Sequence, residues 1–178
     1  ILLTGGAGYI GSHTALSLID AGHKVYIIDN LSTGDARLIP KKAKFTNCNI
    51  NDDKKISSIL KSNDFDILMH FAGYIQVEES VRNPEKYFKN NTENSISLFK
   101  TCKKNNLNKI IFSSTAAAYG SNGKNNLIDE DNELNPQNPY AESKVNTEDF
   151  LFKNQNNFKF IILRYFNVAG ADSKLRSG

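Results

Sequence analysis

The sequence predicts an α/β chain built on a doubly wound parallel sheet. Three observations carry this expectation. A short apolar run breaks into a glycine-rich turn, an acidic residue closes the second apolar run, and strand-like segments alternate with helix-like ones from there on.

The first strand is expected at 1–3, and Thr4-Gly5-Gly6-Ala7-Gly8-Tyr9-Ile10-Gly11 follows it directly. Gly5 and Gly6 let the backbone turn tightly. Gly8 lets the main chain approach a pyrophosphate, and Gly11 lets a helix at about 9–21 pack onto the strand. The free N–H groups of that helix end then face the anion. The second strand is expected at 25–28. Asp29 stands at its end, 18 residues beyond Gly11, where a Rossmann-like fold places the carboxylate that binds the adenosine ribose. Further strands are expected at 44–47, 67–71, 109–113 and 160–163, with helices at about 52–62, 85–106 and 139–153. Such βαβ units imply a parallel sheet covered on both faces through right-handed crossovers. The polar stretch 122–138 reads as a long surface loop near the carboxyl ends of the strands, the edge at which ligands bind.

At 178 residues the chain has room for one domain with a real core. Lys and Arg number 22 against 19 acidic residues, for a net charge of +3. The lysines are scattered among acids, which speaks against a nucleic-acid face. No apolar run approaches a membrane span, and no leader pattern is present. Cys48 and Cys102 stand alone, without metal or disulfide spacing, so a reducing, cytoplasmic compartment is expected. Ile1 already lies inside a strand, and residues 171–178 follow the last strand with no closing helix. The chain therefore reads as a fragment: one dinucleotide-binding domain over 1–178, incomplete at both ends.

Three further segments fall at strand ends. In His70-Phe71-Ala72-Gly73, small residues let the backbone lie against a cofactor, and His70 reads as a hydrogen-bonded strand-end histidine rather than a catalytic one. Ser113-Ser114-Thr115 brings adjacent hydroxyls to the ligand edge. A loop satisfying its own backbone is the alternative, and this segment alone does not decide. Tyr140 and Lys144 then open a helix at i, i+4 spacing, one turn apart on one face. A tyrosine of ordinary pKa, about 10, is a poor base at neutral pH. A neighbouring ammonium favours the phenolate, which can take a proton from an alcohol while hydride leaves the same carbon.

Along its whole length the chain resembles the extended short-chain dehydrogenase/reductase family, and within it the UDP-glucose 4-epimerases. The resemblance rests on the segment 4–14, on Asp29-Asn30-Leu31, His70-Phe71-Ala72-Gly73, Phe112-Ser113-Ser114-Thr115-Ala116, Tyr140-Ala141-Glu142-Ser143-Lys144 and the segment 163–171, in that order. It implies C4 epimerisation of a UDP-hexose through a 4-keto sugar, with tightly bound NAD. It also implies roles. Tyr140 is the base, Lys144 its electrostatic partner and a ribose ligand, and Thr115 the bridge from sugar hydroxyl to Tyr140. Tyr9 and Ile10 lend backbone N–H groups to the pyrophosphate, with Gly5, Gly8 and Gly11 shaping the turn. Asp29 holds the adenosine ribose, flanked by Asn30 and Leu31. Asn49, Ile50, Phe71, Ala72, Gly73, Asn90, Ser113 and Phe166 line the cofactor, and Asn167 touches the nucleotide sugar. Family members are considerably longer, and the part holding most of the sugar pocket, the C-terminal substrate domain, is absent here.

Some positions depart from the family's pattern. Asn49 stands where an Asp is common, although an amide can still bond adenine. Ile75 stands where many relatives carry a Lys, and Thr92-Glu93-Asn94 where Val-x-Gly is common. Related dehydratases place Asp-Glu after the Thr, whereas this chain has Ala116 and Ala117, and the decarboxylases' Glu is missing too. A non-catalytic NAD-binding module is the other alternative, but it has no need of Tyr140, Lys144 and Thr115 together. Ile96, Phe99, Cys102, Val145 and Leu151 read by periodicity as covering the sheet. The resemblance implies that the same helices pair in a homodimer.

Overall fold

The computed structural model describes residues 1–121 and 127–177. Of the loop expected at 122–138, residues 122–126 lie outside the described residues. Six strands form one parallel sheet: β1 (Leu2–Thr4), β2 (Tyr26–Asp29), β3 (Lys44–Asn47), β4 (Leu68–His70), β5 (Lys109–Ser113) and β6 (Lys159–Leu163), in the order β3-β2-β1-β4-β5-β6. The order reverses between β1 and β4, which opens a crevice at their carboxyl ends. All six expected strands are present, with ends moved by a residue or two where side-chain pattern and hydrogen bonding disagree.

Successive strand residues point to opposite faces, and both faces are buried. Leu2 and Ile28 enter one core with Ile56, Leu98, Phe99, Phe112 and Leu151; Leu3 and Ile27 enter the other with Ala15 and Val25. The first core is covered by α2 (Asp53–Lys61), α5 (Asn94–Lys104) and α6 (Pro139–Lys153), the second by α1 (Tyr9–Asp20). That division follows from right-handed crossovers: connections running toward β3 pass on one side, and those running toward β6 on the other.

The helix expected at 85–106 is more complicated. A short helix, α3 (Val77–Arg82), precedes it unannounced. Then α4 (Pro84–Tyr87) runs into a π-helical turn (Phe88–Glu93) and on into α5. The wide turn is held by distant contacts. The Asn91 side chain accepts from the Tyr74 backbone N–H at 2.9 Å and donates to the Tyr74 carbonyl at 2.9 Å. Its amide also donates to Ser143 Oγ on α6, and the Thr147 hydroxyl donates to its carbonyl. As read from periodicity, Phe99, Cys102 and Leu151 are fully buried in the core; Ile96 and Val145 are half-buried.

Candidate active site

The glycine turn behaves as its spacing predicts. Gly5 has φ +75°, and a methyl group there would sit 2.5 Å from the Ala72 nitrogen, so strand β1 and the loop after β4 touch through bare backbone. The first intrahelical bond of α1 runs from Ser12 N–H to the Gly8 carbonyl at 2.9 Å. The N–H groups of Tyr9, Ile10 and Gly11 precede it. No side chain caps the helix, and no acid sits in its first turn. Asp29 is buried at the end of β2, with one oxygen accepting from Ala7 N–H at 3.0 Å and the other from Leu31 N–H at 2.8 Å. The carboxylate thus ties the glycine turn to the second strand.

A cleft at the carboxyl ends of β1, β2 and β4 is lined by Gly5, Gly8, Asp29, Asn30, Asn49, Ile50, Phe71, Ala72, Gly73 and Asn90, all expected there. Ile28, Ser32, Thr33, Gly34, Cys48 and Tyr74, which the sequence does not single out for the cleft, complete it. Their only signal was proximity to the strand ends. Asn30 donates to the Asn49 side chain at 2.6 Å, so Asn49 is engaged across the cleft floor. Leu31 adopts φ +59° at the rim. Phe166 and Asn167 are exposed. Phe166 lines a separate cavity beside β6 with Tyr119, Arg164 and Tyr165, because it follows the edge strand and nothing among the described residues packs over it.

Tyr140, Lys144, Thr115 and Ser113 meet between β5 and α6. Asn138 caps α6 by accepting from Ala141 N–H at 2.9 Å, and Pro139 starts the first turn, which fixes where Tyr140 emerges. The Tyr140 phenol faces the Thr115 side chain, whose hydroxyl accepts from Ala117 N–H at 3.1 Å. Burial pushes the Tyr140 pKa up, and the Thr115 side chain opposes that rise. Lys144 is buried, and its Nζ donates to the Ser113 carbonyl at 2.9 Å. Burial brings its pKa down to about 8, opposed by the Glu148 carboxylate. The helix sets both residues on one face, but the lysine head turns to the β5 carbonyl.

His70 is fully buried. Its Nδ1 meets the Thr4 hydroxyl at 2.6 Å and its Nε2 the Ser95 hydroxyl at 2.8 Å. Desolvation, then the Lys144 charge, lowers its pKa to about 3. It is a satisfied core histidine. Ser113 Oγ bonds the Tyr165 hydroxyl, so this serine serves the site through its carbonyl and that contact.

A parallel sheet in this order, with a bare helix end above a glycine turn, defines a Rossmann-like fold of the dinucleotide-binding class. The model of the NAD dependent epimerase/dehydratase family matches residues 1–177, and the chain belongs to that family. It is 43% identical over 175 residues to a UDP-glucose 4-epimerase of Lactobacillus helveticus, covering 97% of this chain and 53% of the relative. It is 37% identical to a probable UDP-arabinose 4-epimerase of Arabidopsis thaliana, covering 100% of this chain and 46% of the relative. A UDP-glucose 4-epimerase from Bifidobacterium longum, solved with NAD⁺ and UDP, superposes with a TM-score of 0.93 at 34% identity over 99% of this chain and 56% of its own. The chain spans about half the length of the curated relatives it matches.

Proposed function

We propose that this chain is the dinucleotide-binding part of an NAD-dependent UDP-hexose 4-epimerase. The observation that carries the reading is the Lys144 ammonium, bonded to the Ser113 carbonyl beside Thr115 and Tyr140 and lying against Gly73 of the cleft. The fit of a dinucleotide to that cleft rests on the chain's own geometry. A methyl group at Gly8 would meet only the Gly5 oxygen, at 3.3 Å, so that side of the turn is open to a pyrophosphate. The free N–H groups of Tyr9 and Ile10 suit its charge. Asp29 suits a ribose diol and repels a 2′-phosphate, which favours NAD over NADP. When bound, NAD supplies the redox exchange at the sugar's C4 carbon.

The protein's residues do the rest. Thr115 holds the C4 hydroxyl beside Tyr140. Tyr140 takes the hydroxyl proton as the 4-keto sugar forms, and returns it once the sugar has presented its other face. Lys144, anchored on the Ser113 carbonyl, supplies positive charge near the phenolate and a donor for the nicotinamide ribose. Phe166 and Asn167 are proposed to join the cofactor and sugar when the rest of the pocket covers them. Two buried cysteines with pKa values pushed up by burial fit a reducing cytoplasm. A second copy is proposed to pair across α5 and α6; a monomer mass in light scattering would remove that part.

The test uses the protein in its natural full-length form, incubated with UDP-galactose and NAD⁺ and assayed for UDP-glucose. Conversion is expected. Tyr140→Phe is expected to lose turnover by a factor of about 100 or more while still raising the melting temperature with NAD. Full turnover by that variant would overturn the mechanism.

A further inference from the structure

Behind the catalytic cluster lies a charge pair that the reaction itself does not use. Glu148 is 0% exposed on α6 and receives the Arg164 guanidinium in a fork: Nε at 3.0 Å and Nη2 at 2.6 Å, both to Oε2. Its other oxygen accepts the Ser114 hydroxyl. Arg164 also donates to the Tyr119 hydroxyl at 2.9 Å. The pair therefore joins the end of β5, the turn after it, the end of β6 and the catalytic helix. Ser114 sits between Ser113, whose carbonyl holds Lys144, and Thr115, which faces the Tyr140 phenol. Glu148 is also one helical turn beyond Lys144, as Lys144 is one turn beyond Tyr140, so the three share a face of α6.

We propose that Glu148, held by Arg164, is a positioning residue for the proton-transfer centre: its carboxylate keeps the buried Lys144 ammonium charged and pins the strand end that carries the lysine's anchor and the Thr115 hydroxyl. The inference rests on the catalytic role proposed above for Lys144. A buried ammonium with only a neutral carbonyl for a partner would tend to release its proton. The titratable groups around it offer little else. His70 on β4 is held neutral, Tyr140 and Tyr165 are phenols raised by burial, and Asn91 of the π turn brings a neutral amide to Gly73, where the Lys144 ammonium also lies. Among the described residues, Glu148 is the anion that acts on Lys144, and burial of both strengthens that field. The guanidinium and the Ser114 hydroxyl hold the Glu148 carboxylate in place.

The test is an NMR titration of ¹³Cε-labelled lysine in the intact protein without nucleotide, with Lys144 assigned through Lys144→Arg. Glu148→Gln is expected to move the Lys144 midpoint down by about one pH unit or more, and Glu148→Asp to restore most of it. An unchanged midpoint in Glu148→Gln overturns the proposal, as does an equal shift in Glu148→Asp. If Glu148→Gln does not fold, the wild-type protein decides. Its Glu148 ¹³Cδ signal must remain that of a carboxylate throughout the Lys144 titration, and a protonated Glu148 there overturns the proposal. Because the readout is the charge on Lys144, it stands or falls apart from the epimerase assay.

Discussion

A methyl group added at Gly11 would lie 2.1 Å from the Gly5 carbonyl oxygen, whereas one added at Gly8 meets nothing closer than 3.3 Å. One residue type thus does two jobs in one turn. Gly11 lets the helix pack on the strand, and Gly8 keeps a surface clear. Gly11→Ala should therefore cost about 3 kcal/mol of stability, the upper part of the overpacking range. Gly8→Ala should melt close to wild type yet lose most of the stabilisation that NAD confers. Paired thermal melts with and without NAD check this, and a Gly8→Ala protein that responds fully to NAD would contradict it. The spacing of these glycines was legible because each acts within its own turn. The state of Tyr140 was not. Its pKa depends on Thr115, 25 positions away in the chain, and on how far the fold buries both.

At the scale of single elements, α6 matters most, since it carries Tyr140, Lys144 and Glu148. Its amino end is set by Asn138, whose side chain accepts from Ala141 N–H. Asn138→Ala should lower stability by about 1 kcal/mol, read by urea denaturation. It should also loosen the placement of Tyr140, whose turn the cap orders, so any activity should fall further than stability alone explains. The segment 85–106 shows the opposite case. Its apolar period announces a helix, but the π turn at Phe88–Glu93 rests on bonds from Asn91 to residues 17 and 52 positions away, which no local period encodes. Wide turns of this kind often mark functional sites, and this one places Asn90 in the cleft.

For the whole molecule, the buried centre has a consequence in acid. His70 in the fold has a pKa near 3, against 6.5 when free. The unfolded chain therefore binds a proton that the native state refuses. The contribution is fully present above pH 6.5 and is lost as pH falls from there toward about 3, at up to about 1.4 kcal/mol per unit. His70→Gln should remove that part of the slope. Urea midpoints at pH 7.5 and 5 for both proteins test it, and equal slopes would refute it. The second sheet face is also uneven. It is sealed over β1 and β2 but open at β6, the last strand of the sheet, where Ile161 is 57% exposed.

The amino-acid order alone determined the alternation of strands and helices, the glycine turn with its helix end, Asp29 at the close of β2 and the Tyr140–Lys144 spacing. Each obeys a rule that operates within a few residues: side-chain period, backbone freedom or helical rise. Tertiary structure alone decided that Lys144 would be buried on the Ser113 carbonyl, that Asn91 would clamp Tyr74, and that Glu148 would meet Arg164 and Ser114. These contacts join residues 16 to 34 positions apart. They exist because strand order brings distant ends to one edge, and desolvation there makes each partner indispensable to the next.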